Sequence, residues 1–346
     1  MARSVPFSHP STLMSIKYLR ATPSAATINP PLAAQIRRDF GALVDPFLLH
    51  APVPALLAGV WMACRESELV GHVPRATKEA VAAAVSRTNQ CPYCVDAHAV
   101  MLHAVESHHA ADHLRTGRST QPITPALREV VAWATATRTP GAPILSTPPF
   151  SPHDAPEIIG TAVFYHYINR TVSVLLKQSP LPLVPAPFTG TTARLAGWWF
   201  ARAARRTKTP GTALTLLPTA DLPPDMAWAT GSPTIAGAFA RFAAAVESAG
   251  DRVLPEPVRA LAQHEIGAWR GGQPGLGRVW LETPLLDIPA EHRPAGRLVL
   301  LTALAPTQVD ATVITAFQEN YPDDAALISA LAWASLTAAR QIGTWL

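Results

Sequence analysis

The chain consists largely of apolar segments with helical spacing, separated by loops that contain proline. Between residues 54 and 177, apolar side chains recur every three or four positions in five successive segments, and the alternation typical of strands is nearly absent. These segments are 54–69, 77–89, 91–107, 125–137 and 154–177. Pro125 follows Thr124 at a first helical position, where the missing N–H of proline costs nothing. The sequence therefore predicts an all-α fold.

Two thiols, an imidazole and a carboxylate lie close together in the second and third of these segments. Cys91 and Cys94 form a Cys-x-x-Cys motif, His98 lies four residues after the second thiol, and Glu79 lies twelve residues before the first. In an intracellular chain with only three cysteines, such a motif indicates redox catalysis or metal binding rather than a disulfide framework.

The spacing of these residues predicts how they meet. Cys91 followed by Pro92 marks a helix start, and a helix N-terminus lowers thiol pKa values. Cys94 and His98 then share one helix face. If the chain reverses at 89–90, Glu79 lies opposite His98, and the three groups form a thiol, its base and a carboxylate that orients the base. We expect Cys91, the more exposed thiol, to resolve what Cys94 forms.

Two other interpretations of these residues remain open. Glu79 could be only a carboxylate in the first turn of its helix, beside Thr77; its spacing to the cysteines favours the catalytic interpretation. A zinc site could use Cys91, Cys94 and His98, with a fourth ligand from among His103, His108, His109 and His113. Structural zinc sites usually bring a second ligand pair from a separate loop, so we rank this second. Cys64 is expected to be a buried apolar residue, and Tyr165 and His166 are expected to pack or to face solvent.

An internal repeat extends the helical pattern to the end of the chain. Residues 152–176 align without a gap with 322–346, and seven of the 25 positions are identical. We predict an N-terminal arm (1–50), a catalytic helical domain (51–177), a Pro-rich linker (178–226) and a degenerate second copy (227–346). The second copy lacks the reactive groups: Glu79, Cys91, Cys94 and His98 fall opposite Ala260, Gly272, Gly275 and Val279. One active site is expected.

Within the linker, residues 192–206 predict one amphipathic helix. Its apolar side carries Leu195, Trp198, Trp199 and Phe200, and its basic side carries Arg194, Arg202, Arg205 and Arg206. A helix that lies on a membrane surface is one interpretation. A bridging helix whose tryptophans dock on the helical domains is the interpretation we favour, because aromatic residues on one helix are usually core.

Composition excludes several classes of function. The net charge is only +4 and the basic residues are scattered, so we expect no nucleic-acid partner. The N-terminus lacks the apolar run of a secretion signal and no stretch has the length of a membrane span, which predicts a cytoplasmic protein without a span. No dinucleotide or flavin motif is present, and the glycine-rich stretch 271–277 lacks a preceding strand, so we expect no cofactor.

The pattern Glu-x11-Cys-x2-Cys-x3-His in an Ala-rich helical chain resembles the alkylhydroperoxidase D-like branch of the carboxymuconolactone decarboxylase superfamily. The resemblance implies a thiol-dependent, antioxidant peroxidase or disulfide oxidoreductase. It implies Cys94 as the peroxide-reacting thiol, Cys91 as its disulfide partner, and Glu79 with His98 as a proton relay. It also implies a homo-oligomer and an external dithiol reductant of the lipoyl or thioredoxin type. Tyr93 replaces a histidine that some members carry between the cysteines.

Overall fold

A computed structural model describes residues 16–21, 27–105, 107–116, 123–176, 179, 189–275 and 277–346. Every regular element in these residues is helical, which confirms the all-α prediction. The α-helices are α1 (Pro30–Asp39), α2 (Asp45–Leu48), α3 (Pro54–Cys64), α4 (Arg75–Thr88), α5 (Pro92–Ala104), α6 (His108–Thr116), α7 (Pro125–Ala136), α8 (Pro143–Ser146), α9 (Ala155–Leu175), α10 (Thr189–Ala204), α11 (Pro233–Val253), α12 (Glu256–Ala268), α13 (Glu282–Leu286), α14 (Arg293–Leu304), α15 (Ala311–Asn320) and α16 (Asp324–Gly343). Short 3-10 turns cover Leu214–Leu216, Pro224–Ala229, Val279–Leu281, Ala290–His292 and Pro306–Gln308.

Some helix ends differ from the prediction. Within the predicted N-terminal arm, α1 ends at Asp39, two residues before Gly41, which adopts a left-handed backbone with φ of 112°. Helix α3 ends at Cys64, and the chain then forms one π-helical turn, Arg65–Leu69. Single π turns inside helices are frequent at functional sites. This turn buries Glu68, which becomes important below.

The long helices α9 and α16 pack against each other in the middle of the molecule, and α3 packs against α11. One hydrophobic core includes side chains from both halves of the chain. At the α11–α16 contact, a Cβ on Gly250 would lie 2.2 Å from the Trp333 ring, so glycine is required for this approach. The division into two tandem copies and its boundaries stay a prediction.

Helix α16 is long and apolar enough, by composition, to cross a membrane. In the fold, 72% of its most apolar window is buried against other helices. Its apolar surface is therefore used by the protein core.

A buried ion pair fixes α4 to α9. Lys78 Nζ lies 2.6 Å from Glu157 Oε2, and both side chains are almost fully buried. The same carboxylate accepts hydrogen bonds from the backbone N–H groups of His72, at 2.9 Å, and Val73, at 3.2 Å. Glu157 thus holds the loop that precedes α4 in place.

Lys78→Met should lower the free energy of unfolding by about 3–5 kcal/mol, because it leaves the buried Glu157 carboxylate without its cation. Urea unfolding followed by circular dichroism measures this change. Glu282→Gln, which breaks the exposed ion pair with Arg297, is the control and should leave stability nearly unchanged. Equal stabilities of Lys78→Met and wild type would show that the buried pair is energetically neutral.

Candidate active site

The predicted helical hairpin is confirmed. Helix α4 ends at Thr88, and Gln90 takes a left-handed backbone with φ of 54°, which reverses the chain. The Cys91 N–H then donates to Ser86 O at 2.9 Å. Cys91 is the N-cap of α5 and Pro92 occupies the first helical position, as the sequence predicts. Helices α4 and α5 therefore lie side by side and antiparallel.

This hairpin places Glu79 directly against His98. His98 Nδ1 lies 2.7 Å from Glu79 Oε2, and both residues are buried. A carboxylate on one imidazole nitrogen fixes the tautomer and leaves the other nitrogen to exchange protons. The predicted juxtaposition of Glu79 and His98 is thus present. Their catalytic role stays a prediction.

Two further charged residues extend this pair into a buried network. Arg75 Nε donates to Glu79 Oε1 at 2.7 Å, and Arg75 Nη2 lies 3.3 Å from Glu68 Oε1. Neither Arg75 nor Glu68 was predicted from the sequence. Two signals were available: Arg75 lies four residues before Glu79 on one helix face, and Glu68 lies in the charged run 65–68 that follows the apolar segment 54–64.

Glu68 also accepts hydrogen bonds from residues of α3 and α9. Tyr165 on α9 donates its hydroxyl to Glu68 Oε2 at 2.7 Å, and the Cys64 thiol donates to the same oxygen at 3.4 Å. The His98 ring packs edge-on against Tyr165, with the centroids 4.4 Å apart. Cys64 is buried as predicted, and Tyr165 is buried as well; both serve the network as donors.

The two buried carboxylates differ in protonation. Burial raises the pKa of Glu68, and the negative charge of Glu79 raises it further. Burial would also raise the pKa of Glu79, but the Arg75 charge and the His98 hydrogen bond lower it to about 2. Glu79 is therefore the ionised carboxylate at neutral pH. Glu68 keeps its proton to a higher pH than an ordinary glutamate.

The two thiols form a reduced, buried pair. The Cys91 and Cys94 sulfurs are hydrogen-bonded at 3.0 Å, and the residues are 1% and 4% exposed. The expectation that Cys91 is the more exposed thiol is wrong, because the preceding turn packs under α9. There, Asn89 Nδ2 donates to Asn169 Oδ1 at 2.9 Å.

The two thiols also differ in pKa. Burial would raise the pKa of Cys91, but its hydrogen bonds with the Cys94 thiol and the Cys94 backbone N–H lower it. Burial raises the pKa of Cys94, and the neighbouring Cys91 sulfur raises it further. The expectation that the helix N-terminus lowers both values therefore holds for Cys91 and fails for Cys94.

Cys94 lies one helical turn from His98 on α5, and the contacts of the two residues include no hydrogen bond between them. On the other side, the Asn169 amide is hydrogen-bonded to Cys94 and favours its thiolate. Asn169 also lines a cavity of about 10 Å³, enough for one water-sized group, together with Asn89, Arg138 and Arg170. The cavity therefore borders Asn169, the residue that contacts Cys94.

The geometry does not favour the zinc alternative. Among the described residues, the compact group of potential metal ligands is Glu68, Glu79 and His98, whose ligand atoms lie within 4.8 Å of one another. That group contains neither cysteine. The Arg75 guanidinium already lies between its two carboxylates and supplies the positive charge that a metal would bring.

Comparison with known proteins places this site in a family. The sequence model of the carboxymuconolactone decarboxylase family matches residues 54–136, which include Glu68, Arg75, Glu79, both cysteines and His98. A Mycobacterium tuberculosis protein named alkyl hydroperoxide reductase Rv2159c is 41% identical over 313 residues, 90% of this chain and 89% of the relative. The chain belongs to the alkylhydroperoxidase D-like branch of this family.

A solved structure is also similar to this alkylhydroperoxidase D-like protein. It is the alkylhydroperoxidase AhpD core of an uncharacterised peroxidase-related protein from Ralstonia eutropha. The alignment covers 54% of this chain and 98% of that chain, with 20% identity and a TM-score of 0.42. Membership of the family supports a peroxidase-like function at the level of the family.

Proposed function

We propose that this protein is a thiol-dependent peroxidase that reduces organic hydroperoxides with the Cys91–Cys94 pair. The observation that carries the proposal is the buried Glu79–His98 pair at 2.7 Å, one helical turn from a dithiol whose sulfurs lie 3.0 Å apart. A base on the helix face of a thiol, oriented by an ionised carboxylate, is the arrangement of an activated nucleophile.

The raised pKa of Cys94 explains why a proton relay through His98 and Glu79 is needed. Burial raises the pKa of Cys94, so this thiol needs a base before it can react as a thiolate. His98 accepts that proton through its free nitrogen, and Glu79 stabilises the resulting imidazolium. Arg75 holds Glu79 ionised and in position. Glu68 and Tyr165 in turn hold Arg75 and the His98 ring.

The chemistry then follows in two balanced steps. The Cys94 thiolate attacks one peroxide oxygen; an S–O bond forms, the O–O bond breaks, and the alcohol leaves with the proton from His98. Cys94 is thereby oxidised to a sulfenic acid. The Cys91 thiol gives up its proton and attacks the Cys94 sulfur; an S–S bond forms, the S–O bond breaks, and the hydroxyl leaves as water with that proton.

The resulting disulfide needs an external dithiol. A lipoyl- or thioredoxin-type donor would attack one sulfur as a thiolate and leave oxidised after the second exchange. No bound cofactor enters these steps. A disulfide oxidoreductase would use the same pair and the same reductant, with a partner's disulfide in place of the peroxide.

Addition of one equivalent of an organic hydroperoxide to the reduced protein should lower the number of titratable thiols from three to one. The remaining thiol is Cys64, because its partner is Glu68 and not another sulfur. Denaturing thiol titration and peptide mass spectrometry identify the Cys91–Cys94 disulfide. Zinc analysis of the same sample decides the alternative: stoichiometric zinc together with three unreactive thiols would contradict the peroxidase proposal.

A further inference from the structure

Helix α10 lies on the outside of the helix that carries the redox pair. Its small residues face α5: a Cβ on Gly197 would lie 2.8 Å from both Val100 O and His103 Cβ. Ala193, one turn before Gly197, is also buried. This close approach of two helix backbones uses the glycine and alanine side of α10. The large apolar side chains must therefore lie elsewhere.

The opposite face of α10 exposes those large side chains to solvent. Leu195, Trp198 and Trp199 are 68%, 78% and 66% exposed, at i, i+3 and i+4 spacing. The favoured interpretation of the sequence, in which the tryptophans dock on the helical domains, is therefore wrong. Phe200 agrees with that interpretation, because its ring packs near Phe40, with the ring centroids 6.1 Å apart. Exposed aromatic patches of this kind mark interaction surfaces.

The same face is positively charged. Four arginines, Arg194, Arg202, Arg205 and Arg206, are exposed along residues 194–206, and residues 189–206 contain no Asp or Glu. Arg202 lies one turn after Trp198, and Arg194 is paired with Asp112 of α6 at 3.5 Å. The arginines flank the apolar side chains. We define residues 194–206 as the aromatic–basic face.

We propose that the aromatic–basic face binds an anionic lipid surface, with α10 lying in the plane of the membrane. Indole rings are favoured at the boundary between headgroups and acyl chains, and guanidinium groups bind lipid phosphates. The leucine and the two indoles provide the apolar contact, while the arginines provide the charge that anionic headgroups complement. An anionic lipid surface therefore matches both the apolar and the basic side chains of the aromatic–basic face.

Charge argues against a second copy of the chain as the occupant. A two-fold symmetric contact brings the same patch of both subunits together. Here it would set four arginines against four arginines, and residues 189–206 offer no acidic group in return. Like charges opposed at an interface are unfavourable. This inference is independent of the peroxidase proposal, because lipid binding and peroxide reduction are measured separately.

The test is co-sedimentation of the full chain with vesicles. The protein should bind phosphatidylcholine vesicles that contain phosphatidylglycerol, bind pure phosphatidylcholine far more weakly, and dissociate as salt rises. Arg202→Gln/Arg205→Gln should weaken binding about 25-fold, since each arginine near an anionic surface contributes about fivefold. Trp198→Ser/Trp199→Ser should weaken it at least tenfold. Val279→Ser, which removes an 83% exposed apolar residue outside α10, is the matched control and should bind as wild type does.

Three results would overturn the proposal: no sedimentation of the wild type with anionic vesicles, equal binding to neutral vesicles, or unchanged binding by Trp198→Ser/Trp199→Ser. Analytical ultracentrifugation tests whether a second copy of the chain covers the face instead. If the tryptophan variant dissociates an oligomer and binds vesicles like the wild type, the face is a subunit interface and the lipid proposal is wrong. All substitutions lie at exposed positions, and circular dichroism confirms that each variant is folded.

Discussion

Cys94→Ser is expected to lose hydroperoxide turnover by at least about 10³-fold, the largest effect of any substitution in this protein. A serine hydroxyl cannot replace a thiolate as the nucleophile toward an O–O bond, and Cys91 alone lacks the partner thiol with which it would form the disulfide. The fold should be preserved, because serine is smaller than cysteine and Asn169 can still hydrogen-bond to it. Peroxide consumption with a dithiol donor in excess measures the effect.

Two matched variants separate the roles of the thiols. Cys91→Ser should complete the first step once and accumulate a sulfenic acid on Cys94, which a dimedone-type reagent traps. Cys64→Ser should stay within a few-fold of wild type, because the hydroxyl can still donate to Glu68. The comparison is needed because the lowered pKa of Cys91 makes this thiol a candidate nucleophile as well. If Cys94→Ser forms the trapped sulfenic acid and Cys91→Ser does not, the two roles are reversed.

The hairpin and the Glu79–His98 pair could be predicted because both depend on local sequence. Pro92 fixes where α5 begins, and 89–90 is the short connection before it. Once the turn is located, residues about equally far from it must face each other in an antiparallel pair of helices. The positions of Glu79 and His98 follow from counting, and the structure places them 2.7 Å apart.

The rest of the network could not be predicted in this way. Glu68 comes from a π turn, Tyr165 from α9, and Arg75 from α4, so their meeting depends on how three elements pack. Burial of a carboxylate is also a tertiary property. Sequence alone gives Glu68 and Glu79 the same chemistry, whereas the fold raises the pKa of one and lowers that of the other. Which side of α10 meets α5 is also a tertiary property, because it is set by the close packing at Gly197.

Glu79→Gln is expected to slow peroxide-driven disulfide formation by about 10²-fold or more at neutral pH. Glutamine keeps the size of the side chain and a hydrogen bond to His98, but it removes the negative charge that stabilises the imidazolium. It also leaves the Arg75 guanidinium with Glu68 as its remaining carboxylate partner. Stopped-flow measurement of thiol loss, without reductant, isolates this step. An unchanged rate would remove Glu79 from the mechanism.

Glu68→Gln is the matched comparison, since it changes the other buried carboxylate by the same atoms. The raised pKa of Glu68 means that the wild type carries a proton there over a wider pH range, and glutamine resembles that protonated form. Glu68→Gln should therefore match wild type at low pH and diverge as the pH rises. Glu79, with a pKa of about 2, is ionised over that whole range, so its variant should be slow throughout. If both variants lose activity equally at every pH, the two carboxylates act as one charged unit, and the division of labour inferred from their pKa values is wrong.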